Sequence, residues 1–357
     1  MVDRTQPLRQ ARPEDNGDLV GLLRRCPQGT RLIIAQDRSP DFFLRARAYR
    51  QSAIWVADAA QGGLAATATA ALKGVRLGGT ASLAAYVFDV AVDQAHRKQG
   101  LARELLAESE RWARSAGASI LYAHVLRGNA ASAALFAAAG YEPIRTLRAF
   151  LMPLGRRASR AESAGDWRAA GEDDWEGVAA LLAETYSKHE LRPEPDGTLR
   201  DHWCRLPGLV PEDVRVRGLP ARPDAVAAVW NYGPVAASLP VRLPAGIRIA
   251  GAACRALSLP SLPRLGEASR YAILLGAATR PGEPAERRSA IRAALRRAAA
   301  LGLMSAITMV DPADPIVAAL RGLLRFSDRY QLMVKELEPG ATKPLERGVI
   351  YVDPVDL

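Results

Sequence analysis

The sequence predicts an α/β (α+β) protein in which a mixed sheet is flanked by helices, with that arrangement laid down twice along the chain. Two observations predict the class. A run of strand patterns gives way to alternating helix and strand patterns, and the first-half helix patterns stop at Gly117 and Gly140. A third predicts the duplication: after a polar spacer, the second half repeats the order of the first.

Taken in order, Glu14-Asp15 leads into Leu19, Val20, Leu22 and Leu23, an acidic helix start followed by an amphipathic helix. Ala53-Ile54-Trp55-Val56-Ala57 reads as a strand. Extended candidates follow from Ala65 to Leu77 and from Ala84 to Val92, an antiparallel run. From Leu101 to Ala116 the residues Leu101, Leu105 and Trp112 recur at helical spacings, joined by Leu106, with Arg103, Glu104, Glu110 and Arg111 mostly on the other side. That is a helix with one buried face. Ile120 to Val125 is the next strand, Ala130 to Ala139 a second helix, and apolar residues resume at Tyr141.

The stretch from Gly155 to Gly165 is polar, rich in small residues and without apolar periodicity, which marks a linker. Residues 1–154 then form one domain, 155–165 the connection and 166–357 a second domain. Asp173-Asp174 before Val178-Ala179-Ala180-Leu181-Leu182 echoes Glu14-Asp15 before Leu19 to Leu23 without a gap. Further on come a strand at Tyr271–Ala277, a helix from Ala285 to Ala300, a strand at Ala306–Val310, a helix from Pro315 to Leu324 and a strand from Gln331 to Val334.

Bulk composition narrows the function. A chain of 357 residues, 49% hydrophobic and 24% charged, suits two soluble globular domains. No apolar run is long enough to span a membrane and the start MVDRTQPLRQ lacks a signal-peptide core, so the expected location is the cytoplasm, away from membranes. Cys26, Cys204 and Cys254 are far apart and form no Cys-x-x-Cys pair, and His96 and His124 have no third ligand at suitable spacing; no metal is expected. The net charge of +10 comes from scattered arginines, with no polybasic tract to mark a nucleic-acid site, and suits an anionic, phosphate-bearing cosubstrate.

The chemistry concentrates after the strand Val87-Phe88-Asp89-Val90-Ala91-Val92, where Asp93-Gln94-Ala95-His96 leads into Arg97-Lys98-Gln99-Gly100-Leu101-Ala102 at the start of the amphipathic helix. A turn of this kind aims unpaired backbone N–H groups and the positive end of a helix dipole at one point, which binds phosphate. Gly100 lets the backbone approach a pyrophosphate closely and Ala102 keeps the first helical turn free of bulk.

This string resembles the acetyl-CoA motif of the GNAT superfamily of N-acetyltransferases, an Arg or Gln, two residues, Gly, one residue, then Gly or Ala. Asn129, Phe136 and Gly140-Tyr141 are similar to that family's second signature. The resemblance implies tandem GNAT-like acyl-CoA N-acyltransferase domains. It also implies that the amides of Lys98, Gln99, Gly100, Leu101 and Ala102 hold the pyrophosphate of acetyl-CoA beside Arg97, that Val90 and Val92 meet the pantetheine arm, and that Asn129 and Phe136 flank its thiol end. Over most of its length the chain also resembles the plant hookless-type N-acetyltransferase-like proteins, in Ala85-Tyr86-Val87, His96 to Gly100, Val229-Trp230-Asn231, Leu259 to Pro263 and Tyr351 to Pro354.

Acetyl transfer by direct attack needs a neutral amine, a polarised carbonyl and a proton for the departing thiolate. Asp89 is the candidate base. The family's usual proton donor is a tyrosine where this chain has Phe136, so Tyr141, Tyr122, Tyr86, water or an unassisted thiolate must serve. The counterpart loop of the second half, Arg280-Pro281-Gly282-Glu283-Pro284, lacks the motif, and its prolines remove donors while Glu283 repels phosphate. That copy is read as degenerate, a support that walls the acceptor cleft. The expected activity is acetyl transfer to an amine on a small molecule or a protein; the alternative is a non-catalytic acyl-CoA-binding or regulatory protein.

Overall fold

The computed structural model describes residues 8–29, 32–154, 167–194, 197–256, 262–280 and 283–357. The predicted linker and positions 281–282 of the second-half loop lie outside these. The first half runs β1 (Leu8–Gln10), α1 (Asn16–Arg25), β2 (Ile33–Asp37), β3 (Gln51–Asp58), β4 (Leu64–Leu77), β5 (Thr80–Val92), α2 (Leu101–Ser115), β6 (Ile120–Leu126), α3 (Ala130–Ala138) and β7 (Glu142–Pro153). The second runs β8 (Arg168–Ala169), α4 (Trp175–Thr185), β9 (His189–Glu190), α5 (Leu199–Cys204), β10 (Val214–Leu219), β11 (Arg222–Asn231), β12 (Ala237–Arg242), α6 (Ala245–Ala256), β13 (Tyr271–Thr279), α7 (Pro284–Ala300), β14 (Ser305–Val310), α8 (Ile316–Leu320), β15 (Phe326–Glu336), α9 (Lys343–Arg347) and β16 (Val349–Ile350).

The two acidic helix starts are built alike. Each is a short 3-10 turn, Pro13–Asp15 or Glu172–Asp174, leading into a helix, and each turn is pinned to the strand before it by an ion pair, Arg9–Asp15 or Arg168–Asp174. Among the described residues one large mixed sheet carries both halves, in the order β1-β3-β4-β5-β6-β15-β7-β14-β13-β11-β10-β8. At its centre the halves exchange their last strands. The first half's β6 pairs with β15 of the second, and its β7 pairs with β15 on one side and β14 on the other.

Alternation along the strands sends side chains to both faces, so each face needs its own cover. Leu105, Leu106 and Ala113 of α2 bury one face of the first half against Trp55, Val87 and Leu121, and α7 and α8 cover the matching face of the second. The opposite face packs against Trp175 of α4, Trp203 of α5 and Leu345 of α9, with α1 set over Ile54, Val56 and Ala91. The helix expected from Pro315 to Leu324 is shorter, because Arg321 turns to an extended conformation (φ −64°, ψ 138°) before Gly322 at φ +80°. A two-stranded ribbon of β2 and β12, one strand from each half, also escaped the strand patterns.

Candidate functional site

In each half a parallel pair opens into a wedge. Strands β5 and β6 pair only at Ala84↔Ile120, Ala85↔Leu121 and Tyr86↔Tyr122. Beyond these, a bulge where β5 crosses β4, between the Thr67↔Ala91 and Thr69↔Phe88 pairs, bends β5 away. Asp89 sits in that bulge at φ +50°, an unusual value for a residue with a side chain. The strands β13 and β14 separate likewise after Ile273↔Ile307.

At the outer end of the first wedge lies the predicted phosphate turn. Asp93 accepts from the Ala95 amide at 3.1 Å and from Arg25 Nε at 2.9 Å, which fixes the 3-10 turn Gln94–His96. The chain then passes through Lys98 at φ +63° and Gly100 at φ +90° into α2. A Cβ on Gly100 would approach nothing closer than Glu104 Oε1 at 3.7 Å, so the glycine answers a conformational demand rather than a steric one. Among the described residues the amides of Lys98 to Ala102 have no hydrogen-bond acceptor, which leaves them available to an anionic ligand. They border a groove of about 790 Å³ lined by Val90, Val92, Arg97, Lys98, Gly100, Leu101 and Ala102, with Asn129 and Ser132 across from them. Gln99 is exposed and outside the lining.

The groove adjoins a smaller cavity of about 260 Å³ inside the wedge, and Cys26, Gln28, Val90, Asn129 and Ser132 border both. Asn129 caps α3 by accepting from the Ser132 amide at 3.2 Å. Phe136 lines the cavity, its ring edge-on to Tyr141 with centroids 5.0 Å apart. Asp89 lines it too, its Oδ1 held by Arg38 Nη2 at 2.9 Å and Arg45 Nη1 at 3.1 Å. A carboxylate between two buried guanidiniums is positioned firmly. His124, half-buried with its ring 5.3 Å from that of Tyr86, is pushed down to about 3, chiefly by desolvation, with Lys73 and Arg45 adding to the effect, so its imidazole is neutral.

The other two predicted catalytic residues stand apart from this cavity. Tyr122 donates to Asp356 Oδ2 at 2.7 Å, and burial raises its phenol well above the ordinary range. Tyr141 lies in the core beneath α2 and α3 with its hydroxyl unpartnered, raised likewise by burial. Neither lines the cavity.

Several cavity residues went unforeseen: Arg38 and Arg45, and from the second half Tyr271, Ile307, Met309, Tyr330, Asp356 and Leu357. The segment 353–356 reaches under the first half's wedge and is fastened there by a buried cluster. Lys73 Nζ stands 2.5 Å from Asp353 and 2.9 Å from Asp356, and Asp356 also accepts from Tyr49 at 3.0 Å. Its carbonyl accepts from Tyr86 at 2.6 Å and Arg45 at 2.9 Å. In the sequence, nothing around Tyr351 to Pro354 signals burial of these charges.

A turn with unpaired amides thus lies at the mouth of a splayed strand pair. The fold is GNAT-like. Residues 17–141 match the Acetyltransferase (GNAT) family. Among solved structures, a GCN5-related N-acetyltransferase from Sphaerobacter thermophilus is similar at 14% identity and TM-score 0.55, with 94% of this chain and 98% of that one covered. An N-myristoyltransferase from Saccharomyces cerevisiae with bound myristoyl-CoA is similar at 11% identity and TM-score 0.63, over 95% and 85%. The glucosamine N-acetyltransferase region of a fungal β-N-acetylglucosaminidase is similar at 11% and 0.61, over 94% and 38%. At these identities the likeness to solved structures is one of fold. No curated protein matches the chain, and the resemblance to hookless-type proteins gains no support. Among the described residues no helix is long and apolar enough to cross a membrane, and no three His, Cys, Asp or Glu side chains are grouped as metal ligands.

Proposed function

We propose that the chain transfers a short acyl group, acetyl in the first instance, from acyl-CoA bound in the first half to an amine acceptor seated between the halves. The observation that carries this is the junction of the two spaces: the groove at the unpaired amides opens, past Val90 and Asn129, into a cavity walled by both halves. The pyrophosphate would lie on the amides of Lys98 to Ala102 and the pantetheine arm along Val90 and Val92. The thioester would then reach the wedge beside Phe136.

Cavity size supports a short acyl group. A dry cavity of about 150 Å³ accommodates a benzene-sized guest. The 260 Å³ here must take both the acyl group and the amine end of the acceptor, leaving no room for a long chain. On this reading Asp89 orients the acceptor through its arginine pair or accepts the amine proton through water. The half from 166 to 357 acts as a degenerate copy, contributing walls and no coenzyme turn.

The test is acceptor-dependent thiol release from acetyl-CoA, offered with tryptamine, spermidine and a lysine-bearing peptide, in the natural chain and in Gly100→Glu. Release by the first and not the second is the expected result. Acetyl-CoA binding that Gly100→Glu abolishes, with no release for any amine, would favour a non-catalytic binding protein. Acyl-CoA substrates of increasing chain length should lose turnover steeply beyond a few carbons.

A further inference from the structure

The cavity raises a question of proton supply, because most hydroxyls near it are already committed. Tyr86 donates to the Asp356 carbonyl, Tyr122 and Tyr49 donate to the Asp356 carboxylate, and Tyr232 meets Arg38 at 3.2 Å. Phe136 has no proton to give. Two cavity-lining tyrosines, Tyr271 and Tyr330, show no side-chain hydrogen bond among the described residues, and both come from the second half.

Their places in the sheet distinguish them. Tyr271 pairs with Ser305 at the root of the second wedge, its ring 5.3 Å from that of Tyr232. Tyr330 lies on the exchanged strand β15, directly opposite Leu126 of β6. The Leu126 carbonyl accepts from the Asn129 amide at 3.0 Å, and Arg127 donates to the Arg329 carbonyl at 2.8 Å. These bonds set Tyr330 against the turn that carries Asn129, where the coenzyme groove enters the cavity. Opposed residues of an antiparallel pair share a face, so Tyr330 also shares one with His124, diagonal to it across the ladder.

We propose that Tyr330, brought into the first half's site by strand exchange, donates the proton that neutralises the departing thiolate. The inference rests on the acyl-transfer reading given above. The amine lone pair forms the C–N bond, the C–S bond breaks with its electrons passing to sulfur, and sulfur takes the phenolic proton. The tyrosinate recovers a proton from the surplus one on the amine nitrogen by way of water, so the sum is an amide and a free thiol. Burial holds the Tyr330 phenol up at about 12, so it carries its proton at neutral pH.

The test uses the full chain with Tyr330→Phe, which removes one oxygen and no hydrogen bond. With acetyl-CoA and whichever amine of the panel the natural chain acetylates, kcat should fall about 100-fold while KM for acetyl-CoA stays within about twofold. Replacing acetyl-CoA by its selenium analogue, whose more acidic selenol leaves without protonation, should close most of that gap. An unchanged kcat overturns the proposal. So does a deficit of equal size with both donors, which marks a packing role, or a deficit in Tyr271→Phe and none in Tyr330→Phe. A natural chain that binds acetyl-CoA yet releases no thiol with any amine overturns the function itself, and Tyr330's role with it.

Discussion

Replacing Lys73 by Met should loosen the strap that ties the end of the second half under the first. The ammonium is 6% exposed and faces two carboxylates, Asp353 at 5% and Asp356 at 2%. Removing one member of a buried ion cluster strands the others, which costs about 3–5 kcal/mol. The tyrosine donors to Asp356 temper the loss without cancelling it. Without Lys73 the Asp353 carboxyl loses what holds it down and Asp356, already raised by burial, moves further up, so the folded state binds more protons than the unfolded one. Stability then falls as pH rises through the carboxylate range, and the deficit is larger at pH 8 than at pH 5. Urea unfolding followed by tryptophan fluorescence at both pH values measures it. The triple change Lys73→Met, Asp353→Asn, Asp356→Asn should recover much of the loss, and a cycle between positions 73 and 356 should give a coupling above about 2 kcal/mol. A loss under about 1 kcal/mol, or a deficit that grows toward acid, would refute the reasoning.

Three further expectations are simpler. His124 is held near 3 when folded against an ordinary 6.5, so the natural chain should lose stability as pH falls between those values, by up to about 1.4 kcal/mol per pH unit; His124→Phe should remove that contribution, and equal acid slopes in the two chains would count against it. Gly100→Ala meets no clash but forces a side chain to φ +90°, so it should cost about 1 kcal/mol in unfolding experiments and weaken acetyl-CoA binding measured by calorimetry. Tyr141→Phe removes a buried, unpartnered hydroxyl outside the cavity, so stability should hold or rise by up to about 1 kcal/mol with kcat unchanged; a large fall in kcat would return Tyr141 to the catalytic set.

Elements were legible where their signal is local. The strand from 120, the helix from Leu101 and the stops at Gly117 and Gly140, which the structure places at φ +79° and +84°, all follow from side-chain period and backbone permission within a few residues. The strand exchange has no such signature. The pattern of β15 shows that Leu332 and Val334 face a core, yet it is equally compatible with pairing against β14 or against β6, some two hundred residues away. What selects the partner is the completed sheet, in which β15 and β7 fill the centre between two wedges.

The same divide runs through the site. The turn from Arg97 to Ala102 stands out in the sequence because a pyrophosphate site of the kind proposed demands contiguous amides, and contiguity in space is there contiguity in sequence. The inner cavity obeys no such rule: Arg38, Arg45, Asp89, Tyr330 and Asp356 come from separate stretches and meet only in the folded chain. Tyr330, carried in on β15, has no neighbour in sequence that ties it to the first half's turn. If exchange is what completes the cavity, substitutions on β15 that leave its Leu332–His124 pairing intact should alter turnover while coenzyme affinity, set by the turn, stays constant. That separation is available only to a chain whose donor site is local and whose chemistry is shared between halves.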